Sequence, residues 1–282
     1  MPSPLGGAPP LGPAPACGAA TTLPAGASEQ HLVSGGVERR FVVHMPAGHD
    51  GRAALPLVLE FHGSGGTPEG QLATSQLTAL ADAERFAIVA PQAIDARWNI
   101  PPDASRANDV RFVSDMLDAV ERLVCIDRQR VYATGFSGGG RMSSQLACDL
   151  SARVAAIAAV GGLRFPGPCE RARSMPVLAF HGTADAVNPY AGGGQPYWGT
   201  GVEAAFDGWG GHNGCGPRRE SRVAASVAQL TYAGRDCSDV VLYRIDGLDH
   251  SWPGAIYTDR EEGTANDLIW AFFVGHPLPA GD

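Results

Sequence analysis

Arg130-Val-Tyr-Ala-Thr-Gly-Phe-Ser-Gly-Gly-Gly140 is the stretch whose reading decides the fold. Its first half is β-branched and aromatic, as a strand requires, and Gly138–Leu150 continues with helical character. Between the two lies Gly-x-Ser-x-Gly, at Gly135, Ser137 and Gly139. A five-residue pattern built on small residues says little in a chain with 37 glycines. The strand before and the helix after give the pattern meaning. A serine on so sharp a turn is lifted above the sheet, and its neighbours are small because two backbones crowd there. The helix N-terminus beneath it offers the positive end of a dipole, which suits developing negative charge. An ordinary strand-to-helix glycine turn is the plainer alternative.

Short apolar runs and helical patterns alternate outward from this turn. Strands are expected over Arg40–Met45, Pro56–His62, Phe86–Pro91, Val154–Val160, Met175–His181 and Asp239–Ile245. Helices are expected over Gln71–Arg85, Ser105–Val124, Val202–His212 and Asn266–Val274. In the second of these, Val110, Val113, Leu117, Val120 and Val124 keep helical spacing. Such alternation implies βαβ units and a mainly parallel sheet covered on both faces, an α/β fold. One domain is expected over residues 17–276, with an irregular excursion at Asn188–Gly201. Residues 1–16, rich in Pro, Gly and Ala, read as a flexible lead-in, and residues 277–282 as a tail.

A serine hydroxyl is a poor nucleophile unless a base takes its proton and an acid orients that base. Of eight histidines, His250 alone lies in a loop just after the last strand and downstream of every candidate acid. His62 and His181 end strands, where packing or loop orientation is expected, and His212 falls at a helix end. His276 lies beyond the last helix. Asp185, directly after the strand that ends at His181, is the preferred acid. Asp246 and Asp249 are rivals that stand too close to His250 in sequence for a side-on bond to the ring. The glycine-rich bend after Leu55–His62 places the amides of Ser64 and Gly138 as an oxyanion pair. This bend is no phosphate loop, since the chain contains no lysine. Trp98, Tyr190, Tyr197, Trp198 and Trp252 are candidate substrate walls. No metal ligand set has usable spacing, and no cofactor is expected.

Formal net charge of −8 argues against nucleic acid and anionic lipid as partners, both of which need a basic face. No apolar run is long enough for a membrane span. Six cysteines without a C-x-x-C pair suggest disulfides and an oxidising compartment. Cys125 lies below the strand that rises to Ser137, and Cys148 lies about 16 Å down the following helix. Taking the strand as six residues and about 20 Å long predicts a Cys125–Cys148 bridge. Cys215–Cys237 is expected as a local staple, and Cys17–Cys169 by elimination.

Gly135–Gly140, His181-Gly-Thr-Ala-Asp185 with Val187-Asn-Pro-Tyr190, Asn213-Gly-Cys215 and His250-Ser-Trp-Pro-Gly254 occur in this order. Together they resemble the α/β-hydrolase fold, in particular the secreted esterases grouped with polyhydroxybutyrate depolymerases. They are also similar to feruloyl and acetyl xylan esterases of carbohydrate esterase family one. The similarity spans roughly Cys17 to Gly254. It departs at Ser137-Gly-Gly, where the group often has Ser-Asn-Gly or Ser-Tyr-Gly. It departs again at Gly247-Leu-Asp-His250, where Gly-Gly-Gly-His or Gly-Gly-Asp-His is common. The resemblance implies a secreted, monomeric, cofactor-free carboxylic ester hydrolase that works through an acyl-enzyme on polyester or polysaccharide-linked esters. An acyltransferase or peptidase would share the triad. A non-catalytic polysaccharide-binding protein would have no reason to keep it.

Overall fold

The computed structural model describes residues 23–234, 237–257 and 262–279. The chain begins with β1 (Gly26–Ser34), β2 (Val37–Met45) and β3 (Leu55–Phe61). Next come α1 (Pro68–Ser75), α2 (Leu77–Glu84), β4 (Ala87–Pro91), α3 (Asp109–Leu123), β5 (Ile126–Phe136) and α4 (Gly138–Asp149). They are followed by β6 (Ile157–Val160), β7 (Val177–Gly182), α5 (Val202–His212), β8 (Arg219–Ala224), β9 (Val227–Gly234) and β10 (Cys237–Ile245). A small hairpin, β11 (Ala255–Tyr257) with β12 (Glu262–Thr264), leads into α6 (Ala265–Val274).

One ten-stranded sheet runs β1-β2-β4-β3-β5-β6-β7-β10-β9-β8. Its centre, from β4 to β10, is parallel. Both flanks are antiparallel. Every residue of β3, β4, β6 and β7 is buried, as a sheet covered on both faces demands. One face packs Phe112, Met116, Leu146 and Trp209 from α3, α4 and α5. The other packs Leu77, Ile269, Trp270 and Phe273 from α2 and α6 against Phe86 and Tyr132. Leu278, in the segment expected to be a tail, is pinned to this second face, and its amide donates to Gln129 O at 2.8 Å.

The structure corrects several expectations. The helix expected over Gln71–Arg85 is two helices joined at Gln76, which has φ 56°. Asn266 Nδ2 takes the Ser75 carbonyl at 2.7 Å, and Ser75 Oγ accepts from the Leu77 amide at 3.2 Å. These bonds stand in for helical ones and make the break tolerable. α3 starts at Asp109 instead of Ser105 because Asn108 caps it, accepting from the Arg111 amide at 2.9 Å. Asp109 then forms a buried pair with Arg39 at 2.6 Å and accepts from the Asn99 amide at 2.7 Å. The pair ties β2, the 97–108 loop and α3 together.

Cys148 is bonded to Cys169, so it bonds neither Cys125 nor leaves Cys169 for Cys17. The strand-length assumption was at fault. β5 has 11 residues and therefore drops about 36 Å from Ser137, roughly twice the descent of α4 to Cys148. Cys125 lies far below, where its carbonyl accepts from Leu55 at the foot of β3. Cys125 is disulfide-bonded, and Cys17 lies outside the described residues. Cys215–Cys237 forms as a local staple between α5 and β10. Among the described residues no helix is long and apolar enough to cross a membrane.

Replacing both Cys148 and Cys169 with Ser reopens a connection whose ends are 21 residues apart. A loss of about 3 kcal/mol in unfolding free energy is expected, measured by urea denaturation. Peptide mapping without reduction should recover the two cysteines in one linked pair.

Candidate active site

The end of β5 delivers Ser137 at φ 53°, ψ −111°, a region that side chains avoid. The Ser137 amide donates to Val160 O at 2.8 Å, and its carbonyl accepts from Arg141 N in the first turn of α4. The strain is maintained because the surrounding backbones leave no slack. A β-carbon on Gly139 would overlap Phe61 O of β3, and one on Gly162 would overlap Ser137 O. Only hydrogen fits at either position. The turn is therefore held between the ends of β3, β5 and β6.

Asp185 and His250 meet across loops 65 residues apart, with Asp185 Oδ2 accepting from His250 Nδ1 at 2.7 Å. The two loops are stitched together by the Ala184 amide on Leu248 O and the Gly247 amide on Thr183 Oγ1, each 3.0 Å. The His250 ring lies against Phe136, with centroids 4.7 Å apart, and over Gly161 at the end of β6. This places it beside the turn that carries Ser137. Among the described residues no hydrogen bond joins Ser137 to the ring. Catalytic contacts of this kind often tighten only with substrate bound.

Asp185 is buried, which by itself would raise its pKa. Hydrogen bonds from His181 and His250 and from the Asn188 amide more than offset this and hold the carboxyl well below its ordinary range. The rival acids have other partners. Asp246 Oδ2 pairs with Arg222 at 2.6 Å, and Asp249 Oδ1 accepts from Ser251 Oγ at 2.6 Å.

Ser64 and Gly138 lie together. A β-carbon on Gly138 would stand 3.1 Å from Ser64 N. Gly138 opens α4, so its amide has no helical partner. His62 braces the bend. Its Nε2 accepts from the Ala93 amide at 3.1 Å, which leaves Nδ1 to donate to Gly63 O at 2.7 Å. Burial lowers the pKa of this ring and keeps it neutral.

The aromatic candidates divide. Trp98 is 4% exposed. Its Nε1 donates to His62 O at 2.8 Å, and its ring packs on Phe61 and His62. It is a buried brace for the oxyanion bend and not a wall. Tyr190 is half-buried with its hydroxyl on Glu203 at 3.1 Å. Trp252 Nε1 donates to Asn266, and the ring packs toward the second core. Trp198 is also buried and stacks on His181, yet it borders a cavity of about 290 Å³ with Tyr197, which is 40% exposed. Leu163, Arg164 and Phe165, just beyond Gly162, complete that wall with Pro101. Sequence reading missed these three residues and Arg141, whose guanidinium carbon sits 4.2 Å over the Tyr197 ring. The available signals were a Gly-Gly pair after β6 and a lone arginine in the otherwise uncharged start of α4.

The fold and the sequence are each similar to known proteins. An acetyl xylan esterase from Aspergillus awamori superposes with TM-score 0.62 at 15% identity, covering 87% of this chain and 99% of that one. A feruloyl esterase module from Clostridium thermocellum gives 0.59 at 12%, covering 96% and 95%. In sequence, Feruloyl esterase B of Piromyces equi is 34% identical over 233 residues, 76% of this chain. The chain has the α/β-hydrolase fold, and its sequence is similar to that of feruloyl esterases. It spans 42% of the length of the Piromyces protein. Feruloyl esterase D of Neurospora crassa is 27% identical and matched over 93% of this chain and 90% of its own. No protein-family model matches the chain.

The strand under the Ser64 bend, β3, carries a buried acid, Glu60. Burial raises its pKa to about 7 against the pull of Ser75 and Gln71. Its Oε1 accepts from Gln71 Nε2 at 2.9 Å, while Oε2 has no partner. The folded state keeps this proton above the ordinary value of 4.5, where the unfolded chain has lost it. Glu60 therefore costs stability as pH rises from about 4.5 to about 7. Glu60→Gln should match the wild type at pH 4 and exceed it above pH 7, by at most about 3 kcal/mol, in urea denaturation across pH.

Proposed function

We propose that the protein hydrolyses carboxylic esters of plant polysaccharides, of the hydroxycinnamoyl or acetyl kind, through a serine acyl-enzyme. The observation that carries this reading is the 2.7 Å bond between His250 and Asp185, with the imidazole lying beside the strained Ser137 turn. Sequence relatives named feruloyl esterase support the substrate class.

Ser137 Oγ attacks the ester carbonyl while the free nitrogen of His250, Nε2, takes its proton. Asp185 fixes the tautomer by holding Nδ1–H and balances the imidazolium that forms. The tetrahedral oxyanion is held by the amides of Ser64 and Gly138 at the α4 N-terminus. His250 returns the proton to the leaving alcohol, and water repeats the sequence on the acyl-enzyme. The ionised state of Asp185 is secured by its four donors. The 290 Å³ cavity walled by Tyr197, Trp198 and Phe165 receives part of the ester. Disulfides Cys148–Cys169 and Cys215–Cys237 support an exported enzyme.

Ser137→Ala should fold and lose about 10⁴–10⁶ in turnover on 4-nitrophenyl acetate and methyl ferulate. A fluorophosphonate that labels a different serine would overturn the assignment. Asp185→Asn should cost about 10⁴ in kcat, whereas Asp249→Asn should leave kcat within a few fold. The reverse ranking would make Asp249 the acid. Comparison of methyl ferulate, acetylated xylan and poly(3-hydroxybutyrate) tests the substrate class. Preference for the polyester would contradict it.

A further inference from the structure

Three arginines are buried among the described residues: Arg39, Arg130 and Arg141. Arg39 pairs with Asp109 at 2.6 Å, and Arg130 with Asp127 at 2.7 Å. The half-buried Arg173 is likewise satisfied, with its guanidinium on four backbone carbonyls. Arg141 differs. It is 5% exposed, its Nε has no partner, and no hydrogen bond or ion pair reaches its guanidinium among the described residues. Its ring contact with Tyr197 is the compensation it has. An unpaired charge held out of water is costly and is seldom retained without a partner.

The location of this cation explains what the partner is. Arg141 Nη2 lies 3.6 Å from the point where a β-carbon on Gly138 would stand, the same point that lies 3.1 Å from Ser64 N. The guanidinium thus adjoins the two oxyanion amides. A second cation, Arg164, lines the adjoining cavity with Tyr197 and has no hydrogen bond or ion pair to its guanidinium among the described residues. It acts on Arg141 as a like charge, and the other titratable group acting on Arg141 is Tyr197. Tyr197 thus stands between two guanidiniums without an anionic partner among the described residues, Arg141 at the Gly138 end and Arg164 in the cavity, in a protein whose net charge is −8.

We propose that Arg141 and Arg164 form a carboxylate-binding subsite, so that the preferred substrate is an ester bearing a free carboxylate besides the ester that reacts. This deepens, and rests on, the esterase reading above. The transient oxyanion alone is a weaker explanation. It would employ Arg141 but not Arg164, and it would leave the cation that lines the cavity without a partner. The carboxylate can come from the acyl half or from the alcohol half, as in a uronate sugar. A planar guanidinium holds either one bidentately.

Matched esters separate the cases. Mono-4-nitrophenyl adipate against 4-nitrophenyl hexanoate tests the acyl side. Acetylated methyl glucuronoside against acetylated methyl glucoside tests the alcohol side. In one arm the wild type should favour the carboxylate member by about tenfold or more in kcat/KM, chiefly through KM. That ratio should fall close to one in Arg141→Met and fall partway in Arg164→Met. Equal rates for both members in both arms would overturn the subsite. So would an Arg141→Met variant that slows both members alike, which is the signature of oxyanion support only. If Arg141→Met does not fold, Arg164→Met decides by the same ratio, an unchanged ratio counting against the proposal. Failure to hydrolyse any of the four esters, or 4-nitrophenyl acetate, would overturn the esterase reading and the subsite with it. Hydrolysis without preference overturns the subsite alone.

Discussion

Everything at the functional end of this molecule depends on how closely three backbones approach one another. Phe61 O of β3 faces Gly139 of α4, and Ser137 O faces Gly162 beyond β6, each without room for a β-carbon. This contact lets β5 turn straight into α4 and forces Ser137 to a positive φ. It also places the first amide of α4 against the bend at Ser64. The serine, its oxyanion amides and the floor under His250 thus share one origin in backbone packing. Burial of the parallel strands below supplies the rigidity that keeps the turn strained.

Electrostatics above that floor are sharply divided. On one side Asp185 collects the His181, Val187, Asn188 and His250 donors, so its charge is fully answered. On the other side Arg141 and Arg164 are unanswered. Beneath, Glu60 and His62 occupy neighbouring positions on one strand end, and burial drives both toward neutrality. Negative charge is thereby kept from beneath the bend at Ser64.

Most of the parallel sheet was legible because its strands are short apolar runs bounded by Gly and Pro. α5 was read to its exact residues, and α4 to within one. The outermost strands, β1, β8 and β9, were not. β1 alternates half-buried and exposed positions with a single buried residue at its end, so it carries almost no apolar signal. The β8–β9 hairpin turns at Ala225-Ser226 without Gly, Pro or Asn to announce it. The meeting of Asp185 and His250 beside the Ser137 turn could be anticipated because chain order constrains the three. Trp98 was misread because an aromatic residue after a strand looks the same in sequence whether it faces a ligand or supports a loop. The Cys148 partner was misread because the length of β5 was taken from its apolar part, while Asp127, Arg128 and Gln129 extend it downward.

The Cys148–Cys169 bridge joins the far end of α4 to the loop that begins at Gly161. That loop carries Leu163, Arg164 and Phe165 to the cavity before it reaches Cys169. One helix therefore bears Ser137 at its head and anchors the cavity-lining loop at its tail. Recombination among relatives has to respect that linkage. A loop grafted between residues 161 and 169 keeps its shape only if it brings its own half-cystine and meets a helix that supplies the other. A loop exchanged without the helix would lose the cystine that ties it to α4.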